Sequence, residues 1–115
     1  IELAREVLRK IIKQVENEDI TAEDILKAVS AKTGIRLSDI KSHKKNKNIV
    51  LSRQIAMYLT RKMTTLSFPD IGEKVGGRDH STVIYATNKI RQNMESDPSL
   101  KNMIEEIEDI LKHKN

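Results

Sequence analysis

Directly behind Gly76-Gly77-Arg78 stand Asp79, His80, Ser81 and Thr82, four consecutive side chains that can donate or accept hydrogen bonds. Asp, His and Ser in one place raise the question of nucleophilic catalysis, and their adjacency excludes it. A triad needs groups that converge, with the base between nucleophile and carboxylate, whereas consecutive residues at a helix start point about 100° apart. The three histidines, His43, His80 and His113, are dispersed and without partner ligands, and there is no cysteine, so neither a metal site nor a disulfide framework is indicated. The stretch Gly72 to Gly77 bears glycines but lacks the Gly-Lys-Ser/Thr of a phosphate-binding loop. The chemistry left to these side chains is recognition. Asp79 suits a cytosine amino group, His80 a base acceptor or a phosphate, and the Thr82 methyl a thymine methyl. The free N–H groups and positive dipole end of a helix beginning here favour a nearby phosphate.

A second set of residues acts through charge. The formal net charge is only +4, but its distribution is uneven. No acidic residue lies between Asp39 and Asp70, a stretch that holds Lys41, His43, Lys44, Lys45, Lys47, Arg53, Arg61 and Lys62. Glu2 to Asp24 and Glu95 to Asp109 both carry more carboxylates than bases. A one-signed block inside an otherwise balanced chain fits a surface for a polyanion. A solvated charge run gives the same composition.

These residues need elements to hold them. A chain of 115 residues makes one domain with at most an appended element, large enough for a core of its own. No apolar run approaches the length of a membrane span and no signal peptide is visible. The start at Ile1 rather than methionine suggests a piece of a longer protein. Helical spacing recurs and strand alternation does not, which predicts an all-α bundle of about six helices.

Ala4, Val7, Leu8, Ile11 and Val15 mark an amphipathic helix over 2–17, with Arg5, Arg9 and Lys13 on another face. Thr21 with Asp24 opens a helix from about Ala22 to Lys32, with Ile25, Leu26 and Val29 inward and Gly34 as its stop. Leu37 to Ile40 reads as a short helical turn, and Lys41 to Asn48 as a loop without apolar residues. Ile49 to Met63 is helical, with Ile55, Ala56, Leu59 and Met63 inward and Gln54, Met57 and Arg61 on a different face. Ser67 caps a short helix, about Phe68 to Val75, that tolerates Pro69 in its first turn. After Gly76-Gly77, Asp79 caps a longer helix to about Glu95 with Val83, Thr87, Ile90 and Met94 inward and Thr82, Tyr85 and Lys89 opposite. Pro98 to about Lys112 forms the last, striped with Leu100, Ile104, Ile107 and Leu111. A short helix, a glycine turn and a longer helix make a helix-turn-helix, whose second helix enters the major groove tip first.

The string Gly76-Gly77-Arg78-Asp79-His80-Ser81-Thr82-Val83 resembles the signature of the DnaA family of bacterial replication initiators. Ser52 to Leu59, Ser67 to Gly72 and Thr21 to Gly34 resemble further parts of that family's C-terminal domain, so the likeness covers about residues 19–111. The resemblance implies a Trp repressor-like helical fold that binds double-stranded DNA at DnaA boxes of the replication origin, in the bacterial cytoplasm on the nucleoid. It assigns major-groove base contacts to Asp79, His80, Ser81, Thr82, Ala86 and Lys89, and phosphate contacts to Arg53, Gln54, Arg61, Phe68, Pro69, Arg78 and Tyr85. Ser81 stands where the family often has threonine and lacks the methyl for a thymine contact. The basic loop would enter the adjacent minor groove, with Lys45 at the position of the family's groove-inserting arginine. Lysine sheds water less readily than arginine and reads a narrow A·T groove less sharply; Lys44 or Lys47 are alternatives for the same place.

The resemblance divides the chain into a linker helix, 1–18, from an upstream ATPase domain, and the DNA-binding domain, 19–115. It implies no enzyme activity and no cofactor in this piece, with ATP expected only in the full-length parent. Partners would be DNA and other copies of the initiator on the origin. The mixed apolar and basic faces of 1–18 fit either packing on the upstream domain or contact with acidic phospholipid. Two other readings of the whole chain are a ligand-regulated helix-turn-helix repressor, which needs an effector pocket and dimerisation, and a helical protein-interaction module, which leaves the acid-free stretch unexplained.

Overall fold

The computed structural model describes residues 20–113. The helix expected over 2–17 lies outside them. The described residues form six helices and no strand: α1 (Ala22–Thr33), α2 (Leu37–Ile40), α3 (Lys47–Met63), α4 (Phe68–Lys74), α5 (His80–Ser96) and α6 (Pro98–Lys112). The short helical turn expected over Leu37 to Ile40 is α2, a single turn of helix.

Local chemistry sets most boundaries. Thr21 and Asp24 form a reciprocal capping box, each side chain accepting from the other's backbone N–H at 3.1 Å. Gly34 ends α1 in the left-handed conformation, φ 77°, with its N–H on the Ser30 carbonyl. Ser67 caps α4 through Asp70 N–H, and Pro69 occupies the first turn, where its missing N–H leaves no bond unmade. Asp97 caps α6 through the N–H groups of Ser99 and Leu100, both at 3.1 Å.

The core joins Ile25, Leu26 and Val29 of α1 to Ile55, Ala56 and Leu59 of α3, Ile71 of α4, Val83 and Ile90 of α5, and Ile104 and Ile107 of α6. Helix α3 runs through the middle and packs on α1, α4 and α5. Its burial is wider than one stripe: Met57, expected on another face, is 1% exposed. A helix with neighbours on several sides buries more than a single amphipathic face. The buried hydroxyls of Ser52, Thr60 and Thr87 donate to the carbonyls of Asn48, Ala56 and Val83, one turn back, so none is left unpaired. Helix α6 is tied down by Lys32–Glu106 to α1 and by Lys62–Glu108, 2.7 Å, to α3.

The connection that matters for the site is α4 to α5. Val75 closes α4, and Gly76 and Gly77 follow with φ 90° and 76°. Gly77 N–H reaches back to the Gly72 carbonyl at 2.9 Å, the long bond of a Schellman-type helix end, and Arg78 N–H shares that acceptor at 2.8 Å. Gly72 lies inside α4, where glycine weakens a helix. Its value is proximity: a Cβ there would stand 2.0 Å from the Arg78 carbonyl oxygen. A Cβ on Gly76 would stand 2.1 Å from the Lys41 carbonyl oxygen, so the basic loop passes directly over the turn. Around Gly34 and Gly77 there is open space.

The four glycines therefore separate under substitution. Gly34→Ala and Gly77→Ala meet only the left-handed penalty, about 1–2 kcal/mol each. Gly72→Ala and Gly76→Ala collide with backbone and destabilise more. Urea unfolding of the four variants checks the order; equal losses at Gly76 and Gly77 would contradict the close approach of loop and turn.

Candidate nucleic-acid interface

The tip of α5 is built as a polar, accessible surface. Asp79 occupies the N-cap with extended backbone, φ −64° and ψ 151°, yet its carboxylate makes no capping bond. Thr82 and Val83 N–H groups bond the Asp79 main-chain carbonyl instead, at 3.1 and 3.2 Å. The carboxylate is left to face outward, and Asp79, His80, Ser81 and Thr82 are all exposed. Val83, Thr87 and Ile90 hold the helix to the core from the opposite side. Further along, Tyr85 is 60% exposed, with the Lys89 ammonium 5.7 Å from its ring centroid.

Two of the expected contacts have no place on this surface. Ala86, expected among the base readers, is 1% exposed and packs in the core beside Thr87. Arg53, expected on phosphate, is 6% exposed and turned inward. Its Nε donates to the Ile40 carbonyl at 2.7 Å, and its Nη2 reaches the carbonyls of Asp39, Ser42 and Lys44 at 3.2, 2.8 and 3.0 Å. Arg78, expected on phosphate too, is half-buried and donates through Nη2 to the same Ser42 carbonyl and through Nη1 to Gly76 at 3.2 Å. Burial and the neighbouring Arg78 charge lower the Arg53 pKa, and burial lowers that of Arg78. Both stay cationic at neutral pH, since arginine titrates far above it.

Sequence reasoning missed the partners of these arginines. Asp39 and Ser42 shape the loop: Ser42 Oγ donates to the Asp39 carbonyl at 2.6 Å and accepts from Lys44 N–H at 3.1 Å, and the Asp39 carboxylate takes Lys44 Nζ at 2.9 Å. A serine two residues before a turn N–H is a local signal for such a bond; the carbonyl cluster around Arg53 has no one-dimensional signature. Lys41 pairs with Glu23 at 3.5 Å. Lys45 and Lys47 are exposed and have no side-chain partner among the described residues.

A third group meets where α3 ends and α4 begins. The Arg61 guanidinium lies 4.1 Å over the Phe68 ring and donates to the Leu66 carbonyl at 3.1 Å. Both it and Pro69 are exposed, and Gln54 is half-buried. The structure thus joins the basic loop to the helix-turn-helix through Ser42, Arg78 and Gly76, and holds Arg61 with Phe68 as a separate pair.

A family model described as the bacterial dnaA protein helix-turn-helix matches residues 22–90. The chain belongs to that family. It is also 50% identical over 111 residues to the chromosomal replication initiator protein DnaA of Pelobacter propionicus, an overlap of 96% of this chain and 24% of that protein. The chain therefore spans about a quarter of that relative's length. The DnaA family match takes in the basic loop, the two arginines beneath it, the glycine turn and the exposed tip of α5.

Among DnaA-family positions, Ala86 offers a direct check on which way α5 faces. Ala86→Leu overfills the core and lowers stability by about 1–3 kcal/mol, whereas an outward alanine would tolerate the change within about 0.5 kcal/mol. Thermal or urea unfolding distinguishes the two.

Proposed function

We propose that this chain is the duplex-DNA-binding domain of a chromosomal replication initiator and reads DnaA-box sites with the tip of α5. One observation carries the reading: four exposed hydrogen-bonding residues at a helix start are held, through the Ser42 carbonyl and Arg78, beside a lysine loop free of acidic residues. The major groove admits a helix and presents donors and acceptors that such side chains can pair with, and the loop supplies cations for the flank. Asp79, His80, Ser81 and Thr82 read base edges, with Lys89 further along α5. Ser81 lacks the methyl of threonine, so its contribution is a hydroxyl bond. Lys45, with Lys47 beside it, serves the adjacent minor groove. Gln54, Arg61, Phe68, Pro69 and Tyr85 line the path of the backbone; such contacts fix register and affinity while base contacts set sequence preference.

Membership in the DnaA family and the high identity to a replication initiator support this reading. In the parent protein, residues 1–18 link this domain, 19–115, to an upstream ATPase domain where any ATP would bind; further copies of the initiator on the origin and acidic phospholipid at the linker are partners at that level. The site of action is the bacterial cytoplasm.

The test is a titration of the 115-residue chain against a DnaA-box duplex and a scrambled duplex at two salt concentrations. The box should bind about a thousandfold more tightly or better, and both affinities should fall as salt rises. Thr82→Ala and His80→Ala should each cost about 1–3 kcal/mol on the box and relax preference at particular base pairs. Equal losses on box and scrambled duplex would remove the readout assignment.

A further inference from the structure

Arginine beneath a loop is an unusual support. The Arg53 guanidinium collects four main-chain carbonyls within six residues, those of Asp39, Ile40, Ser42 and Lys44. It has no carboxylate partner among the described residues; the nearby Asp39 carboxylate is taken by Lys44. A buried cation held only by neutral acceptors is not the arrangement that best favours stability. What it supplies is geometry. The planar fork directs several N–H groups at fixed angles, and an ammonium on a flexible stem cannot satisfy the same set at once.

The clamp ends at the Lys44 carbonyl, and α3 begins at Lys47 behind the N-cap Asn46. Lys45 is therefore bracketed by a clamped residue on one side and a helix start on the other. Its backbone direction is set while its ammonium is exposed and without a partner among the described residues. Lys44 differs: its N–H is bonded to Ser42 Oγ and its Nζ to Asp39.

We propose that Arg53 is a positioning residue for minor-groove readout, fixing the backbone of residues 39–44 so that Lys45, and not Lys44, enters the groove. The proposal rests on the DNA-binding reading above and replaces a direct Arg53–phosphate contact.

The experiment uses box duplexes with A·T-rich or G·C-rich flanks, and a scrambled duplex, against the wild-type chain, K45A, R53K and the double variant. Wild type should prefer the A·T flank. K45A should lose that preference. R53K keeps the charge and should keep the salt slope, yet lose the flank preference by about tenfold, the scale of one groove contact. The double variant should be no worse than either alone, because the two residues act as one unit. R53K that binds every duplex less tightly while still preferring the A·T flank would overturn the proposal. So would a wild type indifferent to the flank; box against scrambled duplex then shows separately whether the DNA-binding reading survives. A second measurement needs no variant. In the wild-type complex the Arg53 Nε–H resonance should keep its free-state chemical shift and slow exchange, because the bond to Ile40 persists. A large shift on DNA binding would mean that the guanidinium turns to the phosphate, and the positioning role would be lost, whether or not R53K folds.

Discussion

The Ser42 main-chain carbonyl accepts from two guanidinium groups, Arg53 at 2.8 Å and Arg78 by a shorter bond. One arginine comes from α3, the other from the turn that precedes α5, and the acceptor belongs to the loop. Three segments far apart in sequence are thereby held at one atom. Gly76 completes the joint, since only a residue without Cβ lets the Lys41 carbonyl approach the turn so closely. Without this joint, the exposed tip of α5 and the lysine loop would be two independent features. With it, they form one surface of fixed geometry, which sequence-dependent recognition requires: a contact misplaced by an ångström loses its hydrogen bonds.

The scaffold behind the joint is comparatively ordinary. Helix α3 passes through the middle of the described residues, and α4 and α5 pack against it and each other. The buried hydroxyls bond within their own helices and the apolar side chains form one continuous core. That core supplies what the surface lacks. Glycine inside α4 at 72 and two partly desolvated arginines are unfavourable locally, and the packed core offsets their cost.

How far the chain could be read without coordinates depends on the range of the interaction. Thr21 with Asp24, Ser67 with Asp70 N–H and Gly34 are settled within a turn of helix, and each was legible from residue type and spacing. The inward stripe Val83, Thr87 and Ile90 follows from the 3.6-residue period alone. Met57 was not legible, because a period predicts one buried face and α3 has neighbours on several. Ala86 was obscured by its size, since a methyl on the border between two helix faces carries little pattern. Arg53 was the most instructive. Its type argues for exposure, and its place in a basic, acid-free stretch argues for a polyanion. Only the fold brings four carbonyls to it, from residues nine to fourteen positions away.

The choice of carbonyls over a carboxylate has its own logic. A buried arginine is ordinarily paired with an acid, and the pair is then neutral. Here such an acid would place a negative charge under the lysine loop and offset part of its positive charge. Carbonyls satisfy the N–H groups and leave the charge in place. The stretch between Asp39 and Asp70 accordingly offers no side-chain carboxylate to the loop from within itself. Asp39, at its edge, directs its carboxylate at Lys44 and only its carbonyl at Arg53. The same residue thus neutralises one lysine and helps to orient the backbone that carries the next. The loop's positive charge and the restraint on its backbone thus come from separate atoms of one small cluster.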